Sequence, residues 1–360
     1  MTGPERAALR IDLGAIERNC AHLRSLLTGG AELCAVVKAD GYGHGAVEAA
    51  RSAVDGGAGW LAVATAPEAK ELRGAGIAAP ILVMGALTRE ELRAAVAAGA
   101  DVVAWTEDFL AAAAALGGAR VHVKLDTGMG RLGTRDVDVA RSLLTRGGVE
   151  IAGVMTHFAT ADEPGDDYFG EQLEAFAALV AEAPGVLAHA ANSAATYRDP
   201  AAHFDMVRCG IAVYGMDPLQ EDPAARGLEP ALALESWVAA VRRFEAGESA
   251  GYGRRWRAPQ ATWVATIPIG YGDGWRRALS NACDVLVGGR RRPLVGTISM
   301  DNVTVDLGPE PDVEPGAPAV LIGAQGGERI LAEEVARRLG TINYEVTTGL
   351  SARVSRQYVR

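Results

Sequence analysis

One lysine in this chain stands where an ammonium is hard to keep. Residues 35–45 read AVVKADGYGHG; a short apolar run, 33–37, ends at Lys38. Three glycines interleaved with Tyr42 and His44 come next, then a helix-like stretch, 46–54. Strand, Gly-rich turn and helix follow from that pattern. They place one amine at the carboxyl end of a buried strand. Burial disfavours the charged form and frees a nucleophilic amine. The competing use of such a lysine is an ion pair with an acid.

Other segments carry residue types suited to anions and proton transfer. KLDTGMGRLG (124–133) supplies Lys124 and Arg131, whose planar fork fits a carboxylate. THFATAD (156–162) supplies His157, and HAANSAATYR (189–198) supplies Asn192 and Ser193 where a strand gives way to a helix. An Asn-Ser pair there is either a helix cap or part of a phosphate cradle. MVRCGIAVYG (206–215) holds Arg208, then Gly210 and Ile211, where glycine lets the backbone approach a phosphate. Further on come Tyr252 in AGYGRRW, Tyr271 in IGYGDG, Met300 and Asp301 in SMDN, and Tyr344 in TINYEV. A Gly-Tyr-Gly alone reads as a surface turn. The four cysteines, Cys20, Cys34, Cys209 and Cys283, are scattered without metal-type spacing, so free thiols and no metal site are expected.

The elements that must position these groups follow a rhythm. Apolar runs at 33–37, 60–64, 81–84, 101–105, 121–125, 151–156, 187–191 and 206–211 alternate with Ala/Leu/Glu/Arg-rich helical stretches, clearest at 66–75, 89–98, 107–116, 136–145 and 171–183. Eight such strands predict a (β/α)8 TIM-type barrel over residues 1–220, with an open doubly wound sheet as the rival. In a barrel, reactive residues gather past the carboxyl ends of the strands. Lys38, Arg131, His157, Asn192, Ser193 and Arg208 all fall at or near such ends. Residues 7–13 alternate like a strand that could pack with the later domain, and Asp12 could cap the helix after it. The stretch 216–230, rich in Pro, Asp, Glu and Gly, reads as a linker. Residues 230–360 read as a smaller, mostly β domain, with strands at 236–241, 262–269, 283–287, 294–299, 303–307 and 319–322 and one helix at 331–339. A net charge of −10 argues against a nucleic-acid partner. No apolar run approaches membrane-spanning length, so a cytoplasmic protein is expected.

AVVKADGYGHG closely resembles the cofactor-lysine segment of alanine racemases, and eight further segments match that family in order and approximate spacing. The resemblance implies a pyridoxal 5'-phosphate (PLP) enzyme that interconverts L- and D-alanine and supplies D-alanine for peptidoglycan. It implies Lys38 as the PLP lysine and one base, with Tyr252 as the second base on the opposite face. Tyr42, Asn192, Ser193, Gly210, Ile211 and Tyr344 match the phosphate-binding segments. Arg208 matches the arginine that faces the pyridine nitrogen, and His157 the residue beside it. Arg131, Met300, Asp301 and Tyr271 match the substrate-binding and gate positions, and Lys124 a lysine that is carbamylated in the family. Ser299 departs from the family's frequent cysteine. The family further implies a homodimer with sites shared between subunits. Racemisation of serine or another small amino acid, a related lyase activity, or a non-catalytic PLP-holding regulator are the alternative readings.

Overall fold

The computed structural model describes residues 5–310 and 312–360. It divides into two units. One comprises residues 16–219 and 227–229; the other comprises the described residues through Ala15, with 220–226 and 230–360. The first strand of the chain, β1 (Ala8–Asp12), belongs to the second of these.

The first unit is a closed parallel barrel of β2 (Glu32–Val36), β3 (Trp60–Val63), β4 (Ile81–Val83), β5 (Asp101–Ala104), β6 (Arg120–Lys124), β7 (Glu150–Met155), β8 (Leu187–His189) and β9 (Met206–Cys209). Pairing of β9 with β2 closes the ring, which excludes the open sheet. All eight predicted runs form strands. Each strand stops one or two residues before its apolar run does, because the chain there turns into a loop. β3 and β5 are buried along their whole length, as strands covered by helices must be. The intervening helices start where side chains satisfy their first amides. Thr65 with Glu68, and Thr88 with Glu91, form capping boxes; Thr106 and Asp136 cap two more helices.

In the second unit, β1 pairs antiparallel with Leu232–Trp237 and parallel with Ser355–Val359. Asp12 Oδ1 accepts from Ala15 N at 2.8 Å and starts the helix Leu13–Ser25. The sheet runs Ala240–Phe244, Thr262–Ile267, Val303–Gly308, Arg290–Val295, Asp284–Val287, Pro318–Gln325, Leu232–Trp237, β1 and Ser355–Val359, with Glu328–Ile330 attached to Pro318–Gln325.

Two strand expectations are corrected. The run 236–241 spans two strands, because at Val238 and Ala239 the chain switches partners: Val238 N donates to Ala317 O and Ala239 N to Thr266 O, both at 2.8 Å. The strand placed at 294–299 is Arg290–Val295, since three consecutive arginines concealed it. Those arginines are used as sheet side chains: Arg291 bridges Glu334 and Glu328, and Arg292 pairs with Asp312. The helix Asn343–Thr348 has no counterpart among the predicted elements. Among the described residues no helix is long and apolar enough to cross a membrane.

Candidate active site

β2 delivers Lys38 into an unusual turn. Ala39, Asp40, Gly41 and Tyr42 follow with φ of 53, 54, 60 and 54°, a run in the left-handed region. A non-glycine residue there costs roughly 1–2 kcal/mol, so local bonds must hold it. Gly41 N donates to Val37 O (2.9 Å), Gly45 N to Asp40 O (2.8 Å), and Ala46 N to Asp40 Oδ1 (3.0 Å). Glu68 supplies a further clamp. Its Oε1 accepts from Ala39 N at 2.8 Å, while Oε2 accepts from Ala64 N at 2.8 Å and Thr65 N at 3.0 Å. The capping box of one barrel helix thus also pins the residue next to Lys38.

The carboxyl end of the barrel concentrates positive charge. Lys38 has its pKa lowered by burial, then by Arg131, with Glu68 opposing and Arg208 adding. Lys124, the last residue of β6, is buried; that burial, with Arg208, Arg131 and Lys38 nearby, lowers its pKa to about 8. Arg208, buried within β9, is lowered to about 10 by desolvation and stays cationic at neutral pH. Among the described residues no carboxylate pairs with Lys38, Lys124, Arg131 or Arg208. Burial drives the His157 pKa well below its usual value, and Arg208, Lys124, Arg131 and Lys38 push it the same way. Mutual perturbation on this scale requires proximity, so the structure brings these five predicted residues together.

Arg208 is held from behind. Its NH2 donates to Thr156 O (2.8 Å) and Ala190 O (2.9 Å) and reaches His157 Nδ1 at 3.2 Å; NH1 reaches His189 Nδ1 at 2.8 Å. Among the described residues no acceptor takes Nε–H or the second NH1 proton. A buried guanidinium with donors to spare is built for a ligand acceptor. His189 leads on to His122 (2.7 Å) and Asp101 (3.1 Å), none of which stands out in the sequence as a site residue. A signal was present: strand alternation puts His122 on the face of Lys124 in VHVK, the inward one.

The proposed cradle residues also converge. Tyr42 stacks on Tyr214 with centroids 5.1 Å apart, and a Cβ at Gly210 would stand 2.3 Å from the Tyr42 hydroxyl. Glycine is required there. Ser193 Oγ accepts from Gly210 N at 3.0 Å and Ala212 N at 3.4 Å. The Gly210 amide, expected to face a phosphate, is therefore engaged by Ser193, whose hydroxyl also lies within hydrogen-bond reach of the Cys209 thiol. Asn192 Oδ1 caps the helix Ser193–Arg198 through Ala195 N at 2.9 Å. The cap reading of Asn192 holds; its Nδ2 is the group left for a ligand. Ile211 opens the short turn Ile211–Tyr214.

In the second unit, the Tyr271 and Met300 segments are laced together. Tyr271 N donates to Ser299 O (3.1 Å) and Gly272 N to Met300 O (2.9 Å). Asp273, fully buried, takes Gly270 N (2.9 Å) and Arg6 NH1 (3.0 Å), and Arg353 NH2 donates to Asp301 Oδ1 at 2.7 Å. Ser299 Oγ donates to Asn302 O (2.9 Å) and accepts from Asn302 N (3.0 Å), closing the turn that presents Met300. A hydroxyl does this better than the weakly bonding thiol of a cysteine. The Tyr252 carbonyl accepts from Thr297 Oγ1 at 2.7 Å. Tyr344 lies on the helix Asn343–Thr348. Tyr252, Tyr271 and Met300 are 72%, 42% and 51% exposed on this chain.

Comparison with known proteins gives a consistent result. Residues 11–218 match the family described as alanine racemase, N-terminal domain, and residues 231–358 match alanine racemase, C-terminal domain. The chain is 44% identical to the alanine racemase of Symbiobacterium thermophilum, over 97% of this chain and 96% of the relative. It is 41% identical to alanine racemase 1 of Bacillus subtilis, over 97% and 92%. The crystal structure of alanine racemase from D-cycloserine-producing Streptomyces lavendulae superposes with a TM-score of 0.92 at 40% identity, covering 99% of this chain and 98% of that one.

Proposed function

The chain belongs to the alanine racemase family, and on that premise we propose that it interconverts L- and D-alanine with PLP, through Lys38 and Tyr252 as the two bases. The observation that carries the site assignment is the cluster Lys38, Lys124, Arg131 and Arg208, four cationic side chains without a carboxylate partner. Such a well calls for anions. PLP brings a phosphate and alanine a carboxylate.

The residues present fit PLP. Spare donors of buried Arg208 suit the pyridine nitrogen, and the bare Gly210 brings the Tyr42 hydroxyl and the start of the Ile211–Tyr214 turn close together, where a phosphate can be held. Lys38 would hold the coenzyme. Tyr42, Asn192 Nδ2, the Ser193 hydroxyl, Ile211 and Tyr344 would hold its phosphate, with Gly210 supplying the space. When bound, PLP supplies the electron sink that makes the substrate Cα–H removable. Arginine donates to the ring nitrogen without protonating it, which moderates that sink and favours return of the proton to Cα. The lowered Lys38 pKa raises the share of its amine that is free to take or return a proton at Cα on the D-specific face. Tyr252 serves the L-specific face. Arg131, the Met300 backbone and Asp301 orient the substrate, its carboxylate against Arg131, and Tyr271 narrows the way in. His157 steadies Arg208. Lys124, whose pKa is lowered to about 8, keeps a minor free-amine fraction near neutrality that can add CO2 with loss of a proton, and the resulting carbamate anion would orient Arg131. The product role is supply of D-alanine for peptidoglycan in the cytoplasm.

Exposure of Tyr252, Tyr271 and Met300 on the single chain supports a homodimer in which the barrel of one subunit takes these residues from its partner. The test of function is PLP uptake followed by borohydride, with a pyridoxyl label expected on Lys38, and a turnover panel of L-amino acids. Serine turned over faster than alanine, or no label at Lys38, would overturn the proposal. Mixing Lys38→Ala with Tyr252→Phe subunits should restore activity to a fraction of sites. Confirmed subunit exchange without recovery would refute shared sites.

A further inference from the structure

We propose that Asp101, acting through His122 and His189, is a positioning residue that holds Arg208 as a pure donor toward the pyridine nitrogen. The inference deepens the PLP reading above and rests on it for the identity of the ligand.

The geometry is a single file of hydrogen bonds through the barrel interior. Arg208 NH1 meets His189 Nδ1 at 2.8 Å, His189 Nε2 meets His122 Nδ1 at 2.7 Å, and His122 Nε2 meets Asp101 Oδ2 at 3.1 Å. The four residues come from β9, β8, β6 and β5 and are at most 4% exposed. Barrel cores are ordinarily filled by branched aliphatic side chains. Polar groups there cost several kcal/mol unless fully partnered. A file of four therefore implies a task.

Its direction follows from chemistry. A guanidinium has no acceptor, so His189 Nδ1 must accept and Nε2 must carry the proton. His122 Nδ1 then accepts, and its Nε2–H donates to the Asp101 carboxylate. Every bond points from Arg208 to Asp101, and both imidazoles are neutral. Burial lowers the pKa of both, which agrees with that state. Asp101 is the anchor that sets the order. Without an anionic acceptor, His122 can carry its proton on Nδ1, which sets donor against donor at His189. The same conflict, passed on, turns His189 Nδ1–H against the Arg208 guanidinium and displaces it from its ligand.

A second observation shows that the space is kept for this purpose. A Cβ at Gly153 on β7 would lie 2.2 Å from His122 Nδ1 and 2.6 Å from Cε1. Only glycine lets the imidazole pass beneath that strand. Trp60 closes the other side, edge-on at 5.8 Å between centroids. Asp101 is tied outward to Arg120, whose Nε lies 3.0 Å from Oδ1.

The test combines histidine NMR with coenzyme binding. In 15N-histidine-labelled, coenzyme-free wild type at pH 7, His122 and His189 should both appear as neutral Nε2–H tautomers. Asp101→Asn should remove the fixed His122 tautomer and weaken PLP binding about tenfold, the scale on which orienting partners behind a ligand-holding group act. Gly153→Ala, which changes no charge, should weaken binding likewise, and decides the question if Asp101→Asn folds poorly. Arg120→Gln, which removes the cation beside Asp101 but keeps the carboxylate that accepts from His122, should leave tautomers and affinity within about twofold of wild type. A charged or Nδ1–H imidazole in wild type, or an Asp101→Asn protein with wild-type affinity, overturns the inference. A wild-type chain that takes up no PLP refutes the functional reading instead, whatever the imidazoles show.

Discussion

Buried imidazoles held neutral inside the barrel, His157 and His189 most strongly and His122 with them, make its stability fall as pH drops. His157 and His189 have pKa values well below the ordinary 6.5, with burial the first cause and Arg208 the second. In the unfolded chain they ionise at their ordinary value; in the fold they do not. The stability they permit is thus complete above pH 6.5 and is lost as pH falls below it, toward the folded pKa. Between pH 7.0 and 5.5, each histidine that stays neutral in the fold removes about 1.3 kcal/mol, and the pair roughly 2.5 kcal/mol. That is a large part of a typical margin of about 5–15 kcal/mol. Lys124 titrates near 8, above this window, and does not enter. The assay is calorimetric melting of the coenzyme-free protein at both pH values, for wild type and His189→Asn. The variant starts less stable, but its loss between the two pH values should be smaller by about 1.3 kcal/mol. For a barrel of this size that difference is roughly 3–5 °C in the shift of Tm. Identical shifts in the two proteins would show that His189 ionises freely in the fold, and the electrostatic account of the barrel mouth would be wrong.

Gly210→Ala should drive the new methyl into the Tyr42 hydroxyl, break its stack on Tyr214, destabilise the barrel by about 1–3 kcal/mol and weaken PLP binding measured by absorbance titration. Unchanged affinity would remove Gly210 from the cradle. Glu68→Ala should deprive three amides of their acceptor, at a cost of about 1–3 kcal/mol; hydrogen exchange should accelerate at the amides of residues 39–45 more than in the other barrel loops. Uniform acceleration would mean that Glu68 is only a helix cap.

The barrel was legible because most of its strands announce themselves twice, by an apolar run and by the helix that follows. Closure was not: β9 finding β2 is a long-range event that no local pattern encodes. Arg290–Val295 was hidden for an opposite reason, since three arginines in a row suggest a solvated turn until Glu328, Glu334 and Asp312 are seen opposite them. Site residues carried by motifs, such as Lys38 and Arg208, could be named from the sequence. Residues that act behind them could not. Asp101, the first residue of β5, looks like an ordinary polar boundary to a strand, and only the folded ring places it in line with His122 and His189. Glu68 likewise reads as one half of a capping box until the fold brings Ala39 to its other oxygen.

The turn after Lys38 has a consequence for handedness. Ala39 stands at φ 53, ψ 51°, a conformation that an L-residue resists and its mirror image prefers. Installing D-alanine at that one position by semisynthesis would relieve about 1–2 kcal/mol, raising stability with no atom added or removed. A chain assigned to inverting alanine thus keeps one alanine of its own in the backbone geometry natural to the opposite enantiomer.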